Sequence, residues 1–241
     1  MKVVITMAGK GSRFRSVGIE EPKHRIMIDN RPMFAYAMSS LEDFFDCEFV
    51  FVVNEAYDDE PFISEQSSQL GIEEYEIIEV EDFTDGQATT AMQAEEYVPD
   101  DEEVVIYNID TYIEEGTLRI DDVRGDGWIP VFQASGERWS FVATEDSQVT
   151  AVAEKERISN LATAGLYHFG AWSDFVTAYY KMRKDIKNQY GEVYIAPMYD
   201  WLISNSREVY AEQIPSDSVH VLGTPEDLIE FFPAFESRID G

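Results

Sequence analysis

A glycine-rich loop near the start of the chain carries the residues best suited to holding a phosphate. Residues 7–14 read Met-Ala-Gly-Lys-Gly-Ser-Arg-Phe and follow a short β-branched run that predicts a strand. Such a loop presents successive backbone N–H groups to an anion, and Gly9 and Gly11 permit its close approach. Arg13 adds a planar cation that matches phosphate oxygens. Read alone, the loop is equally compatible with a tight surface turn, since it is neither a dinucleotide-binding fingerprint nor a Walker A loop.

Cations cluster around this loop although the chain as a whole is short of them. The formal charge is −30, from 48 Asp+Glu against 18 Lys+Arg. Lys10, Arg13 and Lys23 nevertheless follow one another closely in the sequence, and Arg15 and Arg25 reinforce the cluster. Lys23 alone could be a solvated surface charge, but the local concentration of positive charge predicts an anion site.

Two later segments place polar groups where parallel sheets bind ligands. Residues 104–110 form an apolar run that ends in Asp110, and ligands bind beyond the carboxyl ends of such strands. A carboxylate beside phosphates is a natural Mg²⁺ ligand, although an Asp in a turn is common in so acidic a chain. Gly86 and Gln87 follow another predicted strand and open a helix, whose first N–H groups are available donors.

The elements that must position these residues alternate through the first half of the chain. We predict strands at 3–7, 49–53, 77–80 and 104–107, with helices at 32–45, 61–70 and 89–97 between them. This alternation predicts a mostly parallel central sheet with helices on both faces. A small antiparallel portion is predicted from short β-like runs at 128–134, 140–144, 149–153 and 162–169. Helices at 172–187, 193–204 and 225–236 and a strand at 208–213 complete the prediction.

The motifs together resemble a known family. Residues 7–14, followed by Pro22-Lys23, resemble the signature of the sugar-nucleotide pyrophosphorylases of the nucleotidyltransferase (NTP-transferase) superfamily, and most of all its short, capsule-type sugar nucleotidyltransferases. Further motifs follow in the family's order over nearly the whole chain. The resemblance implies an α/β, Rossmann-like, glycosyltransferase-A-type fold. Because no linker or repeat interrupts the chain, we expect one domain at 1–241, with a nucleotide-binding half at about 1–125 and an acceptor-binding half at about 126–241.

The resemblance also implies roles for individual residues. Arg13 and Lys23 are implied to be catalytic, and Asp110 is implied to bind Mg²⁺. Lys23 and Lys155 are implied to hold the acceptor's phosphate. Glu154 and Lys155, read alone, are equally compatible with an exposed ion pair. The implied nucleotide contacts are Ala8, Gly9, Gly11, Ser12, Arg13, Gly86 and Gln87, and the implied acceptor contacts are Glu154, Lys155, Gly165 and Glu192.

The chain departs from the family's pattern at Val221, where many relatives have an Asp that binds Mg²⁺ together with the strand-end Asp. Either the metal uses fewer protein carboxylates, or Glu226 or Asp227 takes the missing place. Favourable charge at a helix N-terminus is the simpler interpretation of these two acids.

The resemblance implies an Mg²⁺-dependent nucleotidyltransferase of sugar-nucleotide biosynthesis. It would join an NTP to a phosphorylated acceptor, expected to be a sugar 1-phosphate, and release pyrophosphate. A glycosyltransferase of the same fold is one alternative, although Asn108 and Asp110 supply only half of the usual Asp-x-Asp element. A non-catalytic, nucleotide-binding regulatory protein is the other, suggested by Val221.

The composition of the chain limits its expected binding partners and cellular compartment. So acidic a chain argues against nucleic acid and anionic membranes as partners, because phosphate binding needs clustered cations. The acids are spread along the chain, which favours a halophilic adaptation over one specific acidic face. No leader-like segment or membrane-length apolar run is present, so we expect a cytoplasmic protein, and a homo-oligomer is compatible with the sequence. Cys47 lies in an apolar stretch, which predicts a buried thiol.

Overall fold

The computed structural model describes residues 1–239. The strands of this part of the chain are β1 Lys2–Thr6, β2 Met27–Ile28, β3 Arg31–Pro32, β4 Glu48–Asn54, β5 Tyr75–Val80, β6 Val104–Asn108, β7 Thr111–Ile113, β8 Gly127–Gln133, β9 Ser140–Glu145, β10 Gln148–Glu154, β11 Leu161–Thr163, β12 Leu166–Phe169, β13 Val209–Gln213 and β14 Val219–Val221. The α-helices are α1 Ser12–Arg15, α2 Met33–Ser39, α3 Glu60–Leu70, α4 Gln87–Ala91, α5 Trp172–Tyr190, α6 Tyr199–Ser204 and α7 Pro225–Phe231.

One ten-stranded sheet organises the fold, with the strand order β11-β9-β10-β13-β8-β12-β6-β1-β4-β5. The block β6-β1-β4-β5 is parallel throughout, and β13 also pairs in parallel with β8. Strands β12, β10 and β11 run against the others and supply the antiparallel pairs. The prediction of a mostly parallel sheet with a smaller antiparallel portion is confirmed.

Successive residues of the parallel strands are buried on opposite faces of the sheet. Val4 joins a core cluster that includes side chains of α4 and α5, whereas Val3 and Ile5 join a cluster that includes side chains of α2 and α3. A strand covered on both faces must be apolar at every position, which explains its continuous β-branched run. Helices therefore lie on both faces of the sheet, as predicted.

Some predicted helices end earlier in the structure. The helix predicted for 32–45 ends at Ser39, where the Ser39 and Ser40 hydroxyls donate to the Tyr36 carbonyl and compete with the helical pattern. The helix predicted for 225–236 ends at Phe231, because Pro233 cannot continue it. Similarly, the segments predicted for 89–97 and 193–204 are each part α-helix and part 3₁₀-helix.

Two smaller predictions need correction. The strand predicted for 162–169 is split by Gly165, which has a φ of +80° and turns the chain between β11 and β12. Cys47 is half-buried at the margin of the core rather than fully buried, and burial raises the pKa of its thiol. In residues 1–239, no helix is both long and apolar enough to cross a membrane.

Candidate functional site

Two adjoining cavities lie where the parallel strands end. The loop cavity, of about 470 Å³, lies against the loop that follows β1. The sheet cavity, of about 360 Å³, extends from it toward β10, β11 and β12. They form one continuous cleft, because both are lined by Arg13, Gln87, Asn108, Asp110, Tyr194 and Gly223.

The loop after β1 is anchored by one aromatic residue and otherwise faces the cavity. Phe14 is buried in a cluster with Ile26 and Leu228, which fixes α1 against the C-terminal part of the chain. Gly11 precedes α1 with a φ of +62°, a conformation that glycine adopts without strain. All the residues predicted to contact the nucleotide line the loop cavity: Ala8, Gly9, Gly11, Ser12, Arg13, Gly86 and Gln87.

Lys23 and Asp110 meet in the loop cavity. Lys23 lies on a short 3₁₀-helix, Lys23–Arg25, and Asp110 follows β6. The Lys23 Nζ is 2.6 Å from Asp110 Oδ2, and both side chains are about four-fifths buried. Lys23, the predicted phosphate-binding cation, thus forms an ion pair with Asp110, the predicted metal ligand. An anion and a cation that enter this site can each replace one member of the pair.

Two of the cations expected near the phosphate turn away from it. Neither Arg15 nor Arg25 lines the loop or the sheet cavity. Arg15 donates to the Tyr57 hydroxyl, and Arg25 donates to the Asp59 carboxylate. Sequence proximity to the loop suggested direct reinforcement of the anion site, but the chain directs these side chains toward the segment that follows β4.

The start of α4 is joined to the segment that follows α5. Gly86 has a φ of +149°, and a Cβ on it would overlap the backbone of Val193. Val193 N–H donates to Asp85 O at 2.9 Å, and Ala88 N–H donates to Val193 O at 3.0 Å. Next to this junction, the Gln87 Nε2 is buried and has no hydrogen-bond partner among residues 1–239. Gln87 therefore offers an amide donor to a ligand.

On the other side of the cleft, Glu154 and Lys155 lie at the end of β10. Glu154 is buried, accepts a hydrogen bond from the Ser140 hydroxyl, and has its pKa raised by that burial. Lys155 has a φ of +53°, uncommon for a residue with a side chain, and its Nζ donates to the Tyr194 hydroxyl at 2.7 Å. Both line the sheet cavity.

The remaining two predicted acceptor contacts differ in position. Gly165 lines the sheet cavity and lies against the Asn108 amide, which leaves no room for a Cβ. Glu192 lines the loop cavity instead of the sheet cavity. It remains close enough for its charge to raise the pKa of Glu154 further.

Sequence reasoning missed an ion pair in the sheet cavity. Arg138 Nη1 lies 2.8 Å from Asp227 Oδ1, and Asp227 is only 6% exposed. Arg138 also lies over the Trp139 ring at 4.5 Å. The sequence marks Asp227 but not its pairing with Arg138, because the pair joins a loop between β8 and β9 to the first turn of α7.

The comparisons with known proteins follow this geometry. The profile of the family described as Nucleotidyl transferase matches residues 2–192. The chain belongs to the nucleotidyl transferase family. A comparison with curated proteins found no match.

Solved structures resemble this nucleotidyl transferase over nearly its whole length. The nucleoside-diphosphate-sugar pyrophosphorylase from Vibrio cholerae RC9 is 33% identical, with 96% of this chain and 99% of that chain covered and a TM-score of 0.88. The inositol-1-phosphate CTP transferase from T. maritima is 18% identical, with 99% and 96% covered and a TM-score of 0.76. A UDP-glucose pyrophosphorylase complexed with UDP-glucose is 14% identical, with 98% of each chain covered and a TM-score of 0.73. The last two show the fold alone.

The oxygen donors of this nucleotidyl transferase fit a magnesium ion. A Cβ placed on Gly223 would lie 3.0 Å from Asp110 Oδ2 and 3.9 Å from Asp227 Oδ2, so both carboxylates lie beside Gly223. Residues 1–239 contain no group of three or more His, Cys, Asp or Glu residues that could hold a metal. Mg²⁺ is usually bound by one or two carboxylates together with substrate phosphates.

Glu226 and Asp227, the two acids considered as replacements for the Asp missing at Val221, differ in exposure and in whether they line the cleft. Glu226 is exposed and lines neither the loop cavity nor the sheet cavity. Asp227 lines the sheet cavity together with Asp110 and Val221. Both acids lie in the first turn of α7, where the Thr224 hydroxyl accepts from Asp227 N–H. The helix-terminal interpretation therefore holds for both, and of the two only Asp227 lines the same cavity as Asp110.

Proposed function

We propose that this nucleotidyl transferase joins the nucleoside monophosphate of an NTP to a sugar 1-phosphate, releases pyrophosphate and depends on Mg²⁺. The observation that carries the proposal is the continuous cleft. Its loop cavity has backbone donors and cations suited to a triphosphate, and its sheet cavity has buried carboxylates suited to hydroxyl groups. Arg13 and Asp110 line both cavities, so the reacting phosphates would meet between them.

The charges of the sheet cavity favour a neutral polyol over a phosphorylated amine. Its charged lining consists of three cations and three carboxylates: Arg13, Arg138, Lys155, Asp110, Glu154 and Asp227. Each carboxylate has a protein cation within 4 Å. The faces of Trp139 and Tyr194 are covered by Arg138 and Lys155, whereas recognition of a quaternary ammonium needs open aromatic faces. Carboxylates of this kind remain able to accept hydrogen bonds from sugar hydroxyls.

The proposed reaction is an in-line displacement. An oxygen of the acceptor's phosphate forms a bond to the α-phosphorus, and the bond to the β-phosphate oxygen breaks, with its electron pair leaving on pyrophosphate. The attacking oxygen is already anionic, so no general base is required. Lys155 from the sheet cavity and Lys23 from the loop cavity bring the two phosphates together, and Arg13 with the loop N–H groups neutralises the leaving group.

The Mg²⁺ ion would be held by Asp110, with Asp227 as a second oxygen donor. When bound, it supplies charge neutralisation for the phosphoryl oxygens. Lys23 would then turn from Asp110 to a phosphate oxygen, which requires only that its ammonium exchange one anionic partner for another.

The first prediction tests this assignment by pyrophosphate release. The four common NTPs and dTTP are screened against phosphorylated sugars and amines, with Mg²⁺ and high salt present. With the best pair, Asp110→Asn and Lys23→Met should each lower kcat by about 100-fold or more, because each removes charge from the reacting phosphates.

The controls for this experiment are Lys2→Met and Asp43→Asn. Each breaks an ion pair outside the cleft, Lys2 with Glu48 and Asp43 with Arg119, and should leave kcat within about twofold of the parent. Full activity of both cleft variants, or turnover with amine acceptors alone, would contradict the proposal.

A further inference from the structure

A single buried carboxylate, Asp59, holds both residues that follow Lys23. His24 Nε2 lies 2.8 Å from Asp59 Oδ1, and Arg25 Nε donates to the same oxygen at 2.8 Å. Asp59 lies outside both cavities, at the residue before α3. Its contacts therefore act on the short helix Lys23–Arg25 and not on a ligand.

Asp59 is charged although it has no exposed surface. Burial alone would raise its pKa, but the hydrogen bonds from His24 and Arg25 and the charge of Arg25 outweigh burial and hold the pKa below its ordinary value. Burial lowers the pKa of His24 in spite of Asp59, so the ring is neutral at pH 7 and donates to the carboxylate. A buried charge is costly unless hydrogen-bond donors and opposite charges are well placed around it. The Asp59 carboxylate therefore constrains the positions of the His24 and Arg25 side chains.

The segment 57–59 also holds the glycine-rich loop. Arg15 Nη2 donates to the Tyr57 hydroxyl at 3.1 Å, which ties α1 to this segment. Arg25 Nη2 donates to the carbonyls of Tyr57 and Asp58 at 2.8 and 2.7 Å. The two stretches that carry Arg13 and Lys23 are thus fastened to the same three residues after β4.

The Lys23 side chain has few contacts of its own that would fix its position. Among the described residues, its side chain has one hydrogen-bonding partner, Asp110. A long and flexible side chain loses rotamer entropy when it is held in one place. The position of the ammonium is therefore set by the backbone of its short helix, and that backbone is set by the Asp59 contacts.

We propose that Asp59 is a positioning residue that acts through His24 and Arg25 to place the Lys23 ammonium at the phosphate site. The proposal rests on the role given above to Lys23 in the loop cavity. It does not depend on the identity of the base or of the acceptor, because pyrophosphate alone would occupy the loop cavity.

A double-mutant cycle tests the proposal, with magnesium pyrophosphate as the probe and calorimetry as the measurement. Asp59→Asn keeps the size of the side chain and one acceptor oxygen but removes the charge. It should weaken pyrophosphate binding by about 10-fold in the parent chain and by less than about twofold in the Lys23→Met chain, because coupled residues are not additive. Equal weakening in both chains, or none in the parent, would overturn the proposal.

Stability is followed in parallel to separate positioning from general loosening. Asp43→Asn is the matched control, since Asp43 also accepts from an Arg side chain and from a backbone N–H but lies outside the cleft. It should leave pyrophosphate affinity unchanged in both chains. Should Asp59→Asn fail to fold, Arg25→Met is judged by the same cycle and should show the same coupling at about threefold. It removes one of the two contacts with the Asp59 carboxylate, together with those to the Tyr57 and Asp58 carbonyls, at a partly exposed residue.

The two proposals can fail separately. If no NTP and acceptor pair releases pyrophosphate, the proposed reaction is wrong, whatever the cycle shows. If pyrophosphate is released but Lys23→Met binds the probe as tightly as the parent, or the cycle is additive, then Asp59 does not act through Lys23.

Discussion

His168 shows how strongly a single buried residue can depend on pH. It lies on β12 between β6 and β8, has no exposed surface, and neither ring nitrogen has a hydrogen-bond partner among the described residues. The nearest carboxylate, that of Glu103, is 3.8 Å away, too far for a hydrogen bond. Burial lowers the pKa of His168 from 6.5 to about 4, so the ring is neutral in the folded protein.

This burial predicts a loss of stability in mild acid. Between pH 6.5 and about 4, the unfolded chain binds a proton at His168 and the folded chain does not, so the free energy of unfolding falls as the pH falls. The loss amounts to roughly 3 kcal/mol across the window. Denaturant unfolding at pH 7 and pH 4.5 measures it. His168→Phe should lose about 2 kcal/mol less than the parent between these two pH values, and equal losses would contradict the assignment.

Residues of the site differ in how well the sequence predicts them. Gly9, Gly11 and Arg13 lie within one short loop, and Asp110 is marked by the end of an apolar strand, so local pattern predicts their place in the cleft. Asp59 and the Arg138–Asp227 pair are different, since each acquires its role from partners distant in sequence. Nothing in the spacing of a single sequence records which acids and cations will meet.

At the scale of elements, the cleft depends on contacts between the two halves of the chain. The start of α4 and the segment after α5 are joined by the two backbone hydrogen bonds of Val193. The same segment carries Tyr194, which holds Lys155. Elements from residues 85–88 and 191–194 therefore shape both cavities, and the position of one affects the other.

Gly86→Ala tests this junction. The added Cβ would overlap the Val193 backbone and the residue would keep a strained φ, so the start of α4 must move. We expect the KM for the NTP to rise about 10-fold or more, since displacements of this size are costly in a positioned site. Gly71→Ala is the control, because Gly71 also has a positive φ, of +85°, at the end of α3 but has open space around it. It should cost about 1 kcal/mol of stability without changing KM, and equal KM values in both variants would contradict the role of the junction.

The sequence predicts the strands better than the ends of the helices. Continuous apolar runs mark β1, β4 and β6 because both faces of each strand are buried. The helix at Met33–Ser39 ends where serine hydroxyls bond to its own backbone, a local competition that apolar periodicity does not register. Apolar periodicity also does not predict the order of strands in the sheet, since β13 from the last part of the chain lies next to β8.

At the scale of the molecule, the charge of −30 is the dominant feature. Ion pairs are present in the described residues, but acids outnumber cations by far, so most carboxylates face solvent without a partner. Mutual repulsion destabilises the compact state when salt is too dilute to screen it. The sheet cavity is an exception, because its three carboxylates are paired with cations.

We therefore expect the protein to be destabilised in dilute buffer. The midpoint of thermal unfolding, followed by circular dichroism, should rise as KCl increases from about 0.01 M to 1 M, a range over which the screening length falls from about 30 Å to 3 Å. Sucrose, which does not screen charge, serves as the control and should give a smaller rise. Full stability in dilute buffer would show that the acidic surface has another cause.

The place of β13 in the sheet has a consequence for the protein during its synthesis. β13 is made of residues 209–213, and it covers one edge of β8, residues 127–133. A ribosome that has completed β8 must add the whole of α5 and α6 before this edge can be closed. An open, apolar strand edge can pair with a neighbouring nascent chain. The negative charge of the emerging chains would keep them apart until β13 arrives.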